Sequence, residues 1–257
     1  MTLEMDGTVA VLKFNHPERM NAIGAQMLSE FAGAVKEIER GDARAVLLTG
    51  EGRAFCAGAN LADDSGPQTG QGQSSGDGLR SGYHPLLLAL RDLPIALVTA
   101  VNGAAAGVGM SFAMMGDIVC ASKDAYFLQA FARIGLVPDG GSTFMLPRLV
   151  GWGRAMELSM LAERLPAEKA HDWGLVNRLF DDNEALLDGA MAIARQLANG
   201  PKSIGLIRQA YWQTWHNAYE QQLDLEARLQ SQAGGTEDFK EGVAAFFEKR
   251  DAHFTGR

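Results

Sequence analysis

Residues 94–141 read PIALVTAVNGAAAGVGMSFAMMGDIVCASKDAYFLQAFARIGLVPDGG, and this stretch decides the fold. Ile95–Val101 is apolar and β-branched, bounded by Pro94 and by Asn102-Gly103, which predicts a buried strand entering a tight turn. Small residues follow from Gly103 to Gly109, and a helical pattern takes over through Met110, Phe112, Ala113, Met114 and Met115. Strand, glycine-rich turn and helix start place unpaired backbone N–H groups where negative charge is stabilised. A dinucleotide fingerprint needs Gly-x-Gly-x-x-Gly, but Gly107-Val-Gly109 is followed by Met110, Ser111 and Phe112. A phosphate-cradling loop needs Gly-Lys-Ser/Thr, and the chain has no Gly-Lys pair. What remains is an oxyanion site, with one N–H near Val108 and a second from another loop. On these letters alone, a turn that only packs a helix closely on a strand stays equally open.

The chain has 257 residues, 47% of them hydrophobic, enough for a sizeable core. Net charge is −8 without a block of like charge, which argues against a nucleic-acid surface. The two cysteines, Cys56 and Cys120, have neither CxxC spacing nor a histidine pattern, so no disulfide framework and no metal site is expected. Glu4 and Asp6 stand where a signal peptide would be apolar, and no stretch approaches a membrane span. The expectation is a soluble, cytoplasmic, reduced protein.

Taken in order, Val9–Phe14 predicts a strand and His16–Arg19 a turn. Asn21 is a candidate cap for a helix with Ile23, Met27, Leu28, Phe31, Val35 and Ile38 on one face. Ala45–Thr49 predicts a short buried strand. Asp63–Gly82 (DDSGPQTGQGQSSGDGLRSG) lacks large apolar residues and predicts a mobile loop, either a surface insertion or a flap over a site. After Gly141 the patterns are mostly helical: 142–150, 152–161, 166–174, 183–199, one long run 203–232, and 236–250. Alternating strands and helices followed by an all-helical last quarter give the α/β class with a helical C-terminal region.

Several short motifs occur in order along nearly the whole chain: Phe55-Cys-Ala-Gly-Ala, Val101-Asn-Gly-Ala-Ala-Ala-Gly-Val-Gly, Gly116-Asp-Ile, Gly135-Leu-Val-Pro-Asp-Gly-Gly and His171-Asp-Trp-Gly-Leu-Val. Together they resemble the crotonase superfamily, the enoyl-CoA hydratase/isomerase family. The resemblance implies a crotonase (ClpP-like) fold of repeated ββα units over residues 1–199. It implies a helical oligomerisation region over 200–257, and homotrimers or dimers of trimers. It also implies an acyl-CoA substrate, with coenzyme A part of that substrate and no separate cofactor. The oxyanion donors would be the N–H groups of Ala59 and Val108. CoA would meet backbone near Ala57 and the segment from Arg19 to Ala22, and Lys249 would approach a CoA phosphate, from a neighbouring subunit in one reading. Lys249 on a solvated helix face is the alternative.

Departures from the family pattern bear on the chemistry. Hydratases of this family place and activate water with two glutamates, which would fall at Ser111 and Phe131. Serine without a partner is a poor base and phenylalanine cannot be one, so both are assigned to the acyl pocket and to no proton transfer. Asp139, in Val137-Pro-Asp-Gly-Gly141, stands where other branches carry their acting aspartate, and it becomes the candidate catalytic base. A plain turn aspartate is the alternative that Pro-Asp-Gly-Gly also suits. The likeness is greatest to the branch that isomerises ring epoxides in phenylacetate degradation. His84, after the low-complexity stretch, is a candidate for the acyl pocket or a surface turn residue, and Phe127, Phe131 and Phe144 are candidates for an apolar wall around Asp139. The reaction expected is CoA-thioester isomerisation through an oxyanion-stabilised enolate. A hydratase of fatty-acid or aromatic-acid β-oxidation and a non-catalytic binding protein of the same fold are the alternatives.

Overall fold

The structure, a computed structural model, describes residues 1–62 and 75–257. Its strands are β1 (Thr2–Asp6), β2 (Val9–Phe14), β3 (Ala45–Gly50), β4 (Ala54–Cys56), β5 (Ala96–Val101), β6 (Ala104–Ala106), β7 (Ile118–Ser122), β8 (Tyr126–Leu128), β9 (Arg164–Pro166) and β10 (Arg178–Phe180). Its helices are α1 (Ala25–Arg40), α2 (Ser75–Gly78), α3 (His84–Asp92), α4 (Val108–Met114), α5 (Ser142–Val150), α6 (Trp152–Leu161), α7 (Ala167–Asp172), α8 (Asn183–Ala198), α9 (Ser203–Thr214), α10 (Tyr219–Gly234) and α11 (Glu237–Glu248).

Two sheets organise these elements. One runs β1-β2-β3-β5-β7-β10, the other β4-β6-β8-β9. Within each, the strands are parallel except the edge strands β1 and β9. The chain gives one strand to the large sheet and the next to the small one, three times over: β3 then β4, β5 then β6, β7 then β8. This is the expected ββα spiral. It explains why β3 and β5 are apolar without a break, since a parallel strand covered on both faces has no polar side. Val46, Leu48, Leu97 and Val101 face one core; Ala45, Leu47, Val98 and Ala100 face a second beneath α8.

The first core joins the two sheets through rings. Phe14 on β2 meets Phe31 on α1, Phe55 on β4 and Phe112 on α4, with centroids 5.3–5.8 Å apart and edge-on geometry. All four are fully buried, and each contributes about 1.5–3 kcal/mol by leaving water. α9 is tied to this core by Arg208. Its side chain is 3% exposed, and its guanidinium meets Asp117 at 2.7 Å while donating to the carbonyls of Leu90, Arg91 and Leu93. A cation on the C-terminal end of α3 satisfies carbonyls that the helix leaves without partners.

Three expectations are corrected. Asn21 caps no helix: α1 begins at Ala25 after Gly24, and the buried Asn21 amide instead joins loop to loop. Of the predicted mobile loop, residues 75–82 are helical and run on into α3; residues 63–74 lie outside the described residues. The long helix predicted over 203–232 is broken between Thr214 and Tyr219. There the Gln221 side chain accepts from Ala218 N at 2.9 Å and starts α10 as a separate helix.

Candidate active site

Small residues at 56–59 and 104–109 let two segments of backbone run side by side. β4 pairs with β6 in parallel, and the chains continue past the sheet as Ala57-Gly-Ala59 and Gly107-Val108. Gly109 makes the close approach possible, because a Cβ there would lie 2.2 Å from the Cys56 carbonyl oxygen. Beyond the strand ends lies a cavity of about 200 Å³, lined in part by Ala57, Ala59, Val108 and Phe131. Four of the residues singled out in the sequence thus share one site.

The Ala59 N–H is aimed by its neighbours. Ala59 forms an isolated parallel bridge with Ile23: Ile23 N donates to Gly58 O at 2.8 Å, and Asn60 N donates to Ile23 O at 2.9 Å. In such a bridge the N–H of the residue between those bonds points to the other side. Val108 is the first residue of α4, so its N–H has no acceptor within the helix. Among the described residues neither N–H is committed to a protein acceptor. Two donors on one small cavity are what a developing oxyanion requires.

The Arg19–Ile23 segment is held against this strand by Asn21. Its amide nitrogen donates to Glu51 O at 2.9 Å and Ala54 O at 2.7 Å, and its oxygen accepts from His16 N at 2.8 Å. Met20 and Asn21 both adopt positive φ, 52° and 58°, which these bonds sustain. Met20 O then accepts Ala57 N at 2.9 Å. Ala22 is half-buried beside Ile23, and Arg19 is exposed at the end of a short 3₁₀ turn.

Ser111 lies one turn along α4 from Val108 and is buried. Its hydroxyl contacts the backbone carbonyl of Asp139 at 3.0 Å, so the loop bearing the candidate base is fastened to the helix that carries a candidate oxyanion donor. Asp139 is half-buried, with Oδ1 shielded from solvent. Phe131 lines the cavity and Phe127 is buried in the core. Phe144 is not part of a wall there: it packs on Trp215 and His216, with Arg148 3.8 Å above its ring.

His84 and Lys249 are not brought to the cavity, and Asp139, Ser111, Arg19 and Ala22 lie around it without lining it. His84 is exposed at the start of α3, and Lys249 is exposed at the end of α11. Three residues not singled out as site residues, Arg133, Ile134 and Leu136, do line it, Leu136 from within the Gly135–Gly141 motif. They come after β8, in and just beyond a 3₁₀ turn, and Arg133 Nη2 is held by Ala162 O at 2.5 Å. A larger cavity of about 420 Å³ lies between α9 and the end of α4, but it includes none of the predicted site residues and neither candidate oxyanion donor.

Residues 4–257 match the family described as enoyl-CoA hydratase/isomerase. The chain is 44% identical over 251 residues to the 1,2-epoxyphenylacetyl-CoA isomerase of Escherichia coli (strain K12), covering 97% of this chain and 95% of that protein. It is also 44% identical, over 255 residues, to a Rhodobacter capsulatus protein described as a probable enoyl-CoA hydratase, covering 99% and 97% of the two chains. The crystal structure of an enoyl-CoA hydratase from Polaromonas sp. JS666 superposes with a TM-score of 0.92 at 31% identity, covering 99% of each chain. With its order of motifs, its spiral of ββα units and its match from end to end, this chain belongs to the enoyl-CoA hydratase/isomerase family.

Proposed function

We propose that this protein is an acyl-CoA isomerase in which Asp139 moves a proton between two carbons of the acyl group. The observation that carries the reading is the pair of candidate backbone donors, Ala59 and Val108, on one cavity with Phe131, while Ser111 stands one turn along α4 tied to the Asp139 loop, so that neither position supplies a carboxylate. A thioester acidifies its α-protons, and N–H donors at the thioester oxygen stabilise the enolate left when one departs. One carboxylate then takes a proton from one carbon and returns it to another, which shifts a double bond. With a ring epoxide next to the thioester, the ring expands when the C–C bond shared by the epoxide and the six-membered ring breaks and its electrons join the ring double bonds, the oxygen keeping both C–O bonds. The proton shuttle then moves a double bond into conjugation with the thioester. The Escherichia coli relative makes 1,2-epoxyphenylacetyl-CoA the first substrate to try.

Water addition needs an acid and a base placed around one water, and a hydroxyl and a phenyl ring supply neither. The Rhodobacter capsulatus relative keeps hydration as the second reading. CoA is assigned to the backbone near Ala57 and Ala22, with Arg19 at the rim.

Asp139→Asn tests the proposal, since an amide cannot accept the proton. The expected result is a loss of about 10²–10⁴-fold in kcat with KM little changed. Solvent deuterium enters the α or γ carbon of a β,γ-unsaturated acyl-CoA with the native protein and not with the variant. Hydration of an α,β-unsaturated acyl-CoA without bond migration would favour the second reading. An active Asp139→Asn beside a dead His84→Ala would move the base elsewhere.

A further inference from the structure

Beneath the Asp139 loop lies a row of buried polar side chains that the proposed chemistry does not use. Gln129, Ser111 and Ser142 are at most 1% exposed. Gln129 Nε2 lies 3.3 Å from both Met110 Sδ and Ser142 Oγ, Ser142 Oγ lies 2.7 Å from Ser111 Oγ, and Ser111 Oγ lies 3.0 Å from Asp139 O. The proton of every link is fixed by chemistry. A carbonyl oxygen only accepts, so Ser111 O–H donates to Asp139 O. Ser111 has one proton, so Ser142 O–H must be the donor to Ser111 Oγ. A thioether also only accepts, so the end of Gln129 that faces Met110 Sδ and Ser142 Oγ is its NH₂.

We infer that Gln129, Ser142 and Ser111 form a one-directional hydrogen-bond relay that positions Asp139 against the oxyanion helix. The inference rests on Asp139 being the base. Gln129 donates to Ser142, Ser142 to Ser111, and Ser111 to the Asp139 carbonyl. That carbonyl also accepts Ser142 N at 3.0 Å, so two donors from two different helices fix one peptide oxygen. Gly140 allows the approach: its φ is +61°, and a Cβ on it would lie 2.7 Å from Ser111 Cβ and 3.1 Å from Val108 Cγ2. The peptide after Asp139 is therefore pressed onto the turn of α4 that presents the Val108 N–H. Base and oxyanion donor are held in one rigid frame, which is the condition for a near-attack geometry. These are positioning residues: none of the three transfers a proton to substrate.

The test is a kinetic cycle on the full-length protein, following isomerisation of a β,γ-unsaturated acyl-CoA. Ser142→Ala and Ser111→Ala should each lower kcat about tenfold while KM stays within about twofold. Because a relay acts as a unit, Ser111→Ala/Ser142→Ala should lose no more than either single variant. Should Ser142→Ala fold poorly, Ser111→Ala paired with Gln129→Met reads the same cycle from the far end. Native kcat in the single variants overturns the inference. So does a loss that multiplies in the double variant, or one that falls on KM, because independent packing defects behave that way. Failure of the underlying reading looks different: Asp139→Asn would itself remain active.

Discussion

A single missing methyl group governs how closely α4 approaches β4, the elements that lead to the candidate oxyanion donors Val108 and Ala59. A Cβ on Gly109 would meet the Cys56 carbonyl oxygen at 2.2 Å and the Cys56 carbonyl carbon and Cβ at 2.9 Å. The nearest of these atoms are backbone, so nothing can rotate aside; α4 or β4 has to move. Gly109→Ala should therefore lower stability by about 1–3 kcal/mol. It should also cut kcat on the order of 10²-fold, since the displacement falls on Val108 and Ala59. Thermal unfolding and steady-state rates check both, and a native kcat would show that the donor spacing is not critical. The same packing silences the neighbouring thiol. Burial pushes Cys56 up to about 12, against a weaker opposing effect of the Gly58 N–H, and Cys120 up to about 11, against the charge of Arg178. Both remain protonated at about pH 8, so iodoacetamide should leave both unmodified until the protein unfolds. Labelling with mass spectrometric readout decides this. The glycines are visible in the sequence; that Gly109 is pressed on Cys56 is not, because the contact spans two ββα units.

At the scale of elements, Asp238 is the knot of the C-terminal helices. It sits in the first turn of α11, is 2% exposed, and accepts from Lys202 N at 2.8 Å, Thr255 N at 2.7 Å and Gly256 N at 2.9 Å. Burial pushes its carboxyl upward, but these N–H bonds and the nearby charge of Arg44 prevail and hold it below the usual carboxylate range. A lowered carboxylate stabilises the fold above its unfolded pKa of about 4, and that stability is lost as pH falls through the lower native value. Asp238→Asn should thus lower Tm at neutral pH and flatten the fall in Tm below about pH 4; parallel Tm curves for the two proteins would refute it. This knot has no sequence signal, since it joins residues 202, 238 and 255. Local punctuation reads well by contrast: Gly151 between α5 and α6 and Gly200-Pro201 after α8, while the helix expected from residue 236 begins at Glu237 with Thr236 as its cap, the hydroxyl accepting Phe239 N at 3.0 Å. Asn21 misleads because its amide serves loops thirty residues away and not the next helix. The 75–82 stretch misleads because its helix is continuous with α3 and rests on that element more than on its own polar composition.

At the scale of the molecule, α10 and α11 carry more apolar surface than one chain covers. The apolar positions Leu223, Leu225, Leu229, Phe246 and Phe247 suggest a surface left for another chain, but Leu225 and Leu229 are buried within this one. Phe246 and Phe247, however, are 78% and 76% exposed and pack edge-on against each other, with Phe239 and Val243 also exposed beside them. These side chains border a groove of about 560 Å³ that Phe254 also lines. A contiguous aromatic patch of this kind is expected to be covered by another chain. The family resemblance that orders the motifs also implies trimers, and a closed assembly would satisfy every copy of the patch at once. The expected outcome is a trimer or a dimer of trimers by light scattering at micromolar concentration. Phe246→Asp/Phe247→Asp should shift the mass toward the monomer while leaving the far-ultraviolet circular dichroism unchanged, because neither ring supports its own chain. Lys249 comes directly after this patch and ends α11 in a left-handed turn with φ of 54°. If assembly carries it to a neighbour's CoA, the charge variant should raise KM for the acyl-CoA together with its loss of mass. Lys249→Ala should raise KM by a similar factor with the mass intact. A monomeric native protein would remove the interface, and an unchanged KM in Lys249→Ala would return that lysine to the solvated helix face.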